Sequence, residues 1–307
     1  MSGAGAVGSV GRGIAHLATR VLLWLLRGFV LLPYPVVRAT GELAGSAAYR
    51  LAAPRRRVAR VNLQLCMPEL SDAERERLVR EHFRHYARSF FDRFILWHGS
   101  PDRIRRLVRV ENGELLDGLA QREPLIVLAP HFLGMDAGGL RLALDHRMAT
   151  MYANQSNPVL NEAMRRGRMR FNDPVLLTRQ DGIRGAVRLL RERVPFMLLP
   201  DMDLGPRDAV FVPFFGVPAA TVTVLPRLAK MTGARVLPAV TRMTRDGYVV
   251  TLHPPWAGYP GEDTEAATRQ MNAFIEARVR EMPAQYLWTH KRFKTRPPGV
   301  PPVYRRD

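Results

Sequence analysis

The sequence predicts an α/β layered fold, with a mostly parallel central sheet flanked by helices and an N-terminal membrane-anchoring helix. Three observations predict it. From residue 124 onward, short continuous apolar runs alternate with helix-length amphipathic stretches, the pattern of strands buried on both faces and joined by helical crossovers. Residues 1–60 hold the most apolar and the most basic text of the chain. No internal repeat or low-complexity tract is present, which removes solenoids and propellers. The expected division is an anchor over residues 1–45 and a catalytic α/β unit over 46–307.

Composition narrows the function classes. The chain has 307 residues, 47% hydrophobic and 24% charged, enough apolar text for a substantial core and too much for a disordered polyelectrolyte. A single cysteine, Cys66, excludes a disulfide framework and a cysteine-built zinc or iron–sulfur site, points to a reducing compartment, and is expected to be a buried small hydrophobe. The formal net charge is +18, so the partners are polyanions: nucleic acid, anionic lipid or acidic protein. Nine arginines against the lone acid Glu42 give residues 1–60 a local +8.

Residues 21–37, VLLWLLRGFVLLPYPVV, are the most apolar run. Extended by Ile14–Ala18 it approaches the roughly 20 residues that span a bilayer. Arg27 interrupts it, at a cost of about 3 kcal/mol at the bilayer centre, and Pro33 and Pro35 break helical hydrogen bonding near its end. The expectation is a membrane anchor, either one span or a helix lying in the interface, with Arg50 and Arg55–Arg57 as its basic flank; an ordinary core helix is the alternative. Lipid thereby becomes the favoured polyanion over nucleic acid.

Ser71 with Glu74 forms a capping-box pattern that opens a helix running through Phe94. Its aromatic stripe Phe83, Tyr86, Phe90, Phe91 and Phe94 is expected to pack in the core. Strands are predicted at 125–129, 196–199, 235–240 and 248–252, and helices around 136–144, 159–171, 183–193, 221–231 and 264–281. In such sheets functional groups collect at the carboxyl ends of strands, which directs attention beyond Ala129 and Leu199.

His131 and Asp136 follow the first of those strands. Five residues apart, they point about 140° from each other on a continuous helix. They can meet if His131 ends the strand and Asp136 opens the next helix. The carboxylate would then hold Nδ1–H and leave Nε2 free as a base. A histidine that merely caps the helix is the structural alternative.

The surroundings extend the pattern: Tyr152 with Asn157-Pro158; Gly167-Arg168-Met-Arg170; Asp201-Met-Asp203-Leu-Gly205-Pro206-Arg207; Phe211 to Gly216; Ala220-Thr221; and Gln285-Tyr286-Leu-Trp288-Thr-His290-Lys-Arg292-Phe293. Together with His131-x4-Asp136, this text resembles the late acyltransferases of lipid A biosynthesis, a lauroyl and myristoyl transferase branch of the glycerolipid-type acyltransferases. The resemblance runs from the N-terminal apolar segment almost to the C-terminus. It implies an acyltransferase that moves a fatty acyl chain from an acyl carrier protein thioester to a hydroxyl of an acylated glucosamine disaccharide phosphate. It also implies a bacterial inner membrane location with the catalytic unit on the cytoplasmic face. His131 would be the general base and Asp136 its orienting partner, with no metal and no cofactor beyond the acyl carrier protein co-substrate. Arg168 and Arg170 would meet the acceptor's phosphates, and Arg207 is a further candidate for substrate binding. Asp201 and Asp203 are expected to hydrogen-bond neighbouring arginines, one of them supporting the acceptor or the dyad. The expected partners are acyl carrier protein, an anionic glycolipid and the membrane, without nucleic acid; a monomer is favoured.

Two positions depart from the branch. Asp136 stands where most members carry Glu, and Ala153 follows Tyr152 where many carry Arg, whose role would pass to Arg165 or Arg166. Two other functions stay open on sequence alone: acylation of a glycerophospholipid or mannosylated phospholipid, and a non-catalytic basic protein of the membrane surface.

Overall fold

The computed structural model describes residues 3–178 and 180–304, without the side chains of residues 3–12 and 14. Met1, Ser2 and the side chains of Arg12 and Ile14, all within the expected anchor region, therefore lie outside the described residues, as do the last three positions of the 46–307 unit.

Arg27 and Pro33 decide what becomes of the apolar N-terminal run. Helix α1 (Gly3–Arg27) ends at the arginine, a 3-10 turn covers Gly28–Leu31, and α2 (Tyr34–Leu51) restarts behind Pro33. The run is thus split between two helices. No helix among the described residues is long and apolar enough to cross a membrane, which corrects the expectation of a transmembrane span. The helices keep an unusual polarity. In α1, His16, Thr19, Leu23 and Leu26 face inward and are half-buried, whereas Leu17, Val21, Leu22, Trp24 and Leu25 are exposed, Trp24 by 72%.

Helix α3 (Ala53–Cys66) leads to α4 (Asp72–His98), whose capping box forms as expected. Glu74 N–H donates to Ser71 Oγ at 3.3 Å and Ser71 N–H to Glu74 Oε2 at 2.8 Å. Helix α2 lies against α4 because glycine faces it: a Cβ on Gly41 would stand 2.7 Å from the Arg88 Cα. The aromatic stripe is only partly core. Phe83 and Phe94 are buried, but Tyr86 is 48% exposed. Tyr86, Phe90 and Arg93 recur at four- and three-residue spacing on one face, and that face stays partly open.

The remaining elements alternate: α5 (Pro101–Leu107), β1 (Val108–Glu111), α6 (Glu114–Leu119), β2 (Leu125–Leu128), α7 (Met135–Ala143), β3 (Ala149–Met151), α8 (Pro158–Arg168), β4 (Val175–Leu177), α9 (Gly182–Arg191), β5 (Phe196–Leu198), β6 (Ala209–Phe214), β7 (Val217–Val222), α10 (Val224–Thr232), β8 (Arg235–Thr244), β9 (Gly247–Leu252) and α11 (Thr264–Glu281). The strands form a seven-stranded sheet in the order β1-β9-β8-β2-β5-β3-β4 and a separate β6–β7 hairpin. Neighbours in the large sheet run parallel except β8 and β9, so the mostly parallel α/β expectation holds. The run at 125–128 is the central strand, and its pleat sends Ile126 and Leu128 into one core, Leu125 and Val127 into the other. Burying such side chains contributes about 1.5–3 kcal/mol each. Strands β2 and β5 pair directly, Ile126 opposite Phe196 and Leu128 opposite Leu198. Their carboxyl ends therefore open side by side, and the site is built there.

Candidate active site

After β2 the chain passes through Pro130 to His131; after β5 it passes through Pro200 to Asp201. Parallel pairing sets the two within reach. His131 Nδ1 lies 2.7 Å from Asp201 Oδ1, and the His131 backbone N–H donates to Asp201 Oδ2 at 3.0 Å. The Tyr286 hydroxyl donates to the same Oδ2 at 3.0 Å. Asp201 is 1% exposed. Burial pushes its carboxyl up, but the interaction with His131, through side chain and backbone N–H, overcomes that and lowers it to about 2. An ionised carboxylate is acceptor-only, so Nδ1 carries the hydrogen. Nε2 makes no hydrogen bond among the described residues.

This geometry corrects the expected dyad. The carboxylate on His131 Nδ1 is Asp201, and both oxygens of Asp136 are occupied elsewhere. Arg93 donates from Nε at 2.8 Å to Asp136 Oδ2, with Nη2 ion-paired to the same oxygen at 2.7 Å, and Arg168 donates from Nη2 at 2.6 Å to Oδ1. The reason lies in where α7 begins. Asp136 is its second residue, and there the side chain meets α4 and α8 rather than the adjacent strand end. Burial raises the Asp136 carboxyl, yet Arg168 and Arg93 hold it well below the ordinary carboxylate range. The approach of α8 to α4 depends on Gly167, where a Cβ would overlap the Trp97 ring. The side chains of His131, Asp136, Arg93 and Arg168 are 15%, 16%, 20% and 25% exposed, so the imidazole and the arginine–carboxylate cluster both reach solvent.

The C-terminal block forms the wall behind the imidazole. Leu133 N–H donates to Gln285 O at 2.8 Å and Leu287 N–H to His131 O at 3.1 Å. Gln285 is fixed in turn by the Met243 backbone, at 2.7 and 3.0 Å. Asn62 of α3 donates to the carbonyls of Trp288 and His290, both at 2.7 Å. His290 Nε2 accepts from Asp203 N–H at 3.0 Å, and burial together with the His131 charge pushes this imidazole down to about 4; it is a neutral acceptor. Arg292 is buried and donates to Ala220 O at 2.8 Å and Thr221 Oγ1 at 2.7 Å, tying the hairpin to the C-terminus.

The other sequence candidates scatter. Asp203 accepts from Thr295 N–H at 2.6 Å, Thr295 Oγ1 at 2.8 Å and Gly205 N–H at 3.0 Å, so it staples the C-terminal segment. Among the described residues neither it nor Asp201 hydrogen-bonds an arginine, the expected partner: Asp203 meets the C-terminal segment, and Asp201 meets Tyr286 and His131, the histidine of the expected dyad. Arg170 lies apart from the Asp136 contacts. Its guanidinium reaches back to the end of α4, donating to Leu96 O at 2.5 Å and Gly99 O at 2.8 Å, where helix carbonyls lack intrahelical partners. Arg207 is exposed. Arg165 and Arg166 both pair with Glu162 of their own helix. Cys66 is buried as expected, and burial pushes its thiol up.

Arg93 and Tyr286 hold positions in the site that no motif assigns to them. Arg93 carried a signal: an acid and an arginine, Asp92 and Arg93, interrupt the apolar text from Phe90 to Trp97, and a charge there must find a partner. Asp92 finds Tyr248, at 2.5 Å, and Tyr34, at 3.2 Å. Tyr286 lay inside the C-terminal block, whose distance in sequence hid its contact with Asp201.

Comparison with known proteins gives the family. The sequence model for bacterial lipid A biosynthesis acyltransferases matches residues 14–295. The chain is 35% identical over 287 residues to the lipid A biosynthesis lauroyltransferase of Escherichia coli (strain K12), covering 92% of each chain. It is 33% identical over 290 residues to the palmitoleoyltransferase of the same strain, again covering 92% of each. Among solved structures, the 1-acyl-sn-glycerophosphate acyltransferase of Thermotoga maritima matches with a TM-score of 0.41 at 16% identity, over 81% of this chain and 99% of that one. With the family model matching most of its length, this chain is a member of the bacterial lipid A biosynthesis acyltransferase family.

Proposed function

We propose that the protein transfers a fatty acyl chain from an acyl carrier protein thioester to a hydroxyl of a phosphorylated, already acylated glucosamine disaccharide, with His131 as general base. The single observation that carries this reading is the His131–Asp201 pair at 2.7 Å, which fixes the tautomer and leaves Nε2 unpaired at the sheet's carboxyl edge. An alcohol is a poor nucleophile until its proton is taken, and a positioned base contributes about 10²–10⁴-fold. In this mechanism Nε2 removes the hydroxyl proton as the oxygen bonds to the thioester carbonyl carbon. Asp201 stabilises the resulting imidazolium, and Tyr286 holds Asp201 in place. When the tetrahedral intermediate collapses, the carbon–sulfur bond breaks and the thiolate leaves with the proton from His131. The exchange is redox-neutral and calls for no cofactor beyond the two substrates.

Arg168, paired with Asp136 five residues after the base, supports the acceptor reading as a cation, and the basic surface suits both an acidic carrier protein and an anionic leaflet. The outward faces of α1 and α2 suit a helix pair lying in the bilayer interface at the cytoplasmic side of the inner membrane. Leu25, Leu31, Leu43 and Leu51 are exposed there with Trp24, and exposed arginines at 50, 55 and 57 follow; such inverted polarity fits an interfacial helix.

The test is to incubate the purified protein with acyl carrier proteins bearing different chains and a tetra-acylated, phosphorylated disaccharide, then weigh the product. The expected result is a gain of one acyl group, abolished by His131→Ala. Transfer to a glycerophospholipid instead, or undiminished transfer by the variant, would overturn it.

A further inference from the structure

Around α8, arginines are numerous and mostly occupied. Arg165 and Arg166 are held by Glu162, and Arg170 by backbone carbonyls. Arg93 and Arg168 differ: they come from separate helices and converge on one carboxylate. Two guanidinium groups brought together repel, and Asp136 between them cancels one charge, leaving the cluster at +1. It does not exhaust their donors. Arg93 spends Nε and Nη2 on Asp136, and Arg168 only Nη2. Arg93 Nη1 and Arg168 Nε and Nη1 make no hydrogen bond among the described residues, and both side chains reach solvent. Helix α7 opens at the same place with no side-chain cap, adding its positive end. Beside the cluster runs the open face of α4, with Phe90 under the Arg93 guanidinium at 5.7 Å and Tyr86 a turn further on.

We propose that Arg93 joins Arg168, which the family resemblance alone would set at the acceptor's phosphates, and that the two, spaced by Asp136, form a clamp for a phosphomonoester of the acceptor, with Tyr86 and Phe90 as the apolar strip against which the rest of that lipid lies. The proposal rests on the reading of the acceptor as a phosphorylated glycolipid. Its chemistry is the fit of planar guanidinium forks to phosphate oxygens, a bidentate geometry that a lysine, as a point charge, does not reproduce. Asp136 acts here as a positioning residue: it fixes the distance between two cations that would otherwise separate.

The test uses the full chain, with Arg93→Gln and Arg93→Lys. Equilibrium binding of a labelled acceptor in detergent micelles, with and without its phosphates, needs no turnover. Arg93→Gln should weaken binding of the phosphorylated acceptor by about 10- to 100-fold, the range of a hydrogen bond to a charged group. Arg93→Lys should recover part of that loss, and the dephosphorylated acceptor should bind wild type and both variants alike. In turnover the loss should fall on KM for the acceptor more than on kcat. Equal weakening on both acceptors, or none on either, overturns the clamp. If wild type transfers to the disaccharide and Arg93 proves indifferent to phosphate, the clamp falls and the proposed function stands. If no transfer occurs but phosphate-dependent binding through Arg93 does, the clamp stands and the acceptor reading falls.

Discussion

Asp201 stands at the carboxyl end of a central strand with a histidine and a tyrosine on its oxygens, whereas Asp136 stands in the first turn of a helix with an arginine on each of its own. Asp201 is enclosed; Asp136 reaches solvent with its partners. The same side chain thus serves two purposes. An enclosed carboxylate facing one imidazole dictates which nitrogen carries the proton. A half-open carboxylate between two guanidinium groups sets the spacing of cations and leaves them a net charge. Proximity in sequence to the histidine, which favours Asp136, is a poorer guide than adjacency of parallel strands, which favours Asp201.

The comparison can be broken most severely at His131. His131→Ala should lower kcat by about 10²–10⁴-fold and also lower the melting temperature, since the buried Asp201 carboxylate loses a hydrogen bond worth about 1.5–3 kcal/mol; steady-state transfer assays and thermal melts check both. Tyr286→Phe sharpens the Asp201 side. It removes one hydrogen bond to a charged, buried acceptor, worth about 1.5–3 kcal/mol, so kcat should fall by at least tenfold and acceptor KM should stay within a few-fold.

A smaller effect concerns the support of that tyrosine. His82 lies fully buried with Nδ1 3.2 Å from Ala284 O, two residues before Tyr286, and burial pushes its imidazole down to about 4. In the unfolded chain it titrates near 6.5. Between those values the unfolded state takes up the proton and the folded state does not, so its stability contribution is complete above pH 6.5 and lost as pH falls towards 4. Denaturant titrations should show about 2 kcal/mol less loss from pH 7 to pH 5 in His82→Gln than in wild type. Equal pH dependence in the two proteins would mean that this imidazole does not stay neutral in the folded state.

Much of this was legible in the sequence, and for definable reasons. The run at 125–128 reads as a buried strand because both faces of it are core, and Ser71 with Glu74 reads as a cap because the capping box is local. Strands β1, Val108-Arg-Val-Glu111, and β3, Ala149-Thr-Met151, lack the continuous apolar run that makes the similarly short β5 legible. The β6–β7 hairpin was missed because its text, Ala209 to Val222, carries prolines at 213 and 218 and a glycine at 216; Thr221 and Val222, expected to open a helix, finish β7 instead. Within the site, His131 and Arg168 were legible by motif. The contact between His131 and Asp201 crosses seventy residues, and depends on β2 and β5 pairing, which no spacing in the sequence encodes. The choice between a span and a surface helix turned on Arg27 and Pro33, whose effect was visible as an interruption but whose outcome needed the fold.

The most direct measurement compares Asp201→Asn with Asp136→Asn in steady-state acyl transfer, each with kcat and acceptor KM determined separately. If Asp201 orients the base and Asp136 spaces the cations, the first variant loses kcat by about 10³–10⁴-fold with acceptor KM nearly unchanged, and the second loses chiefly through KM. A kcat that survives Asp201→Asn while collapsing in Asp136→Asn would contradict the assignment of the two carboxylates.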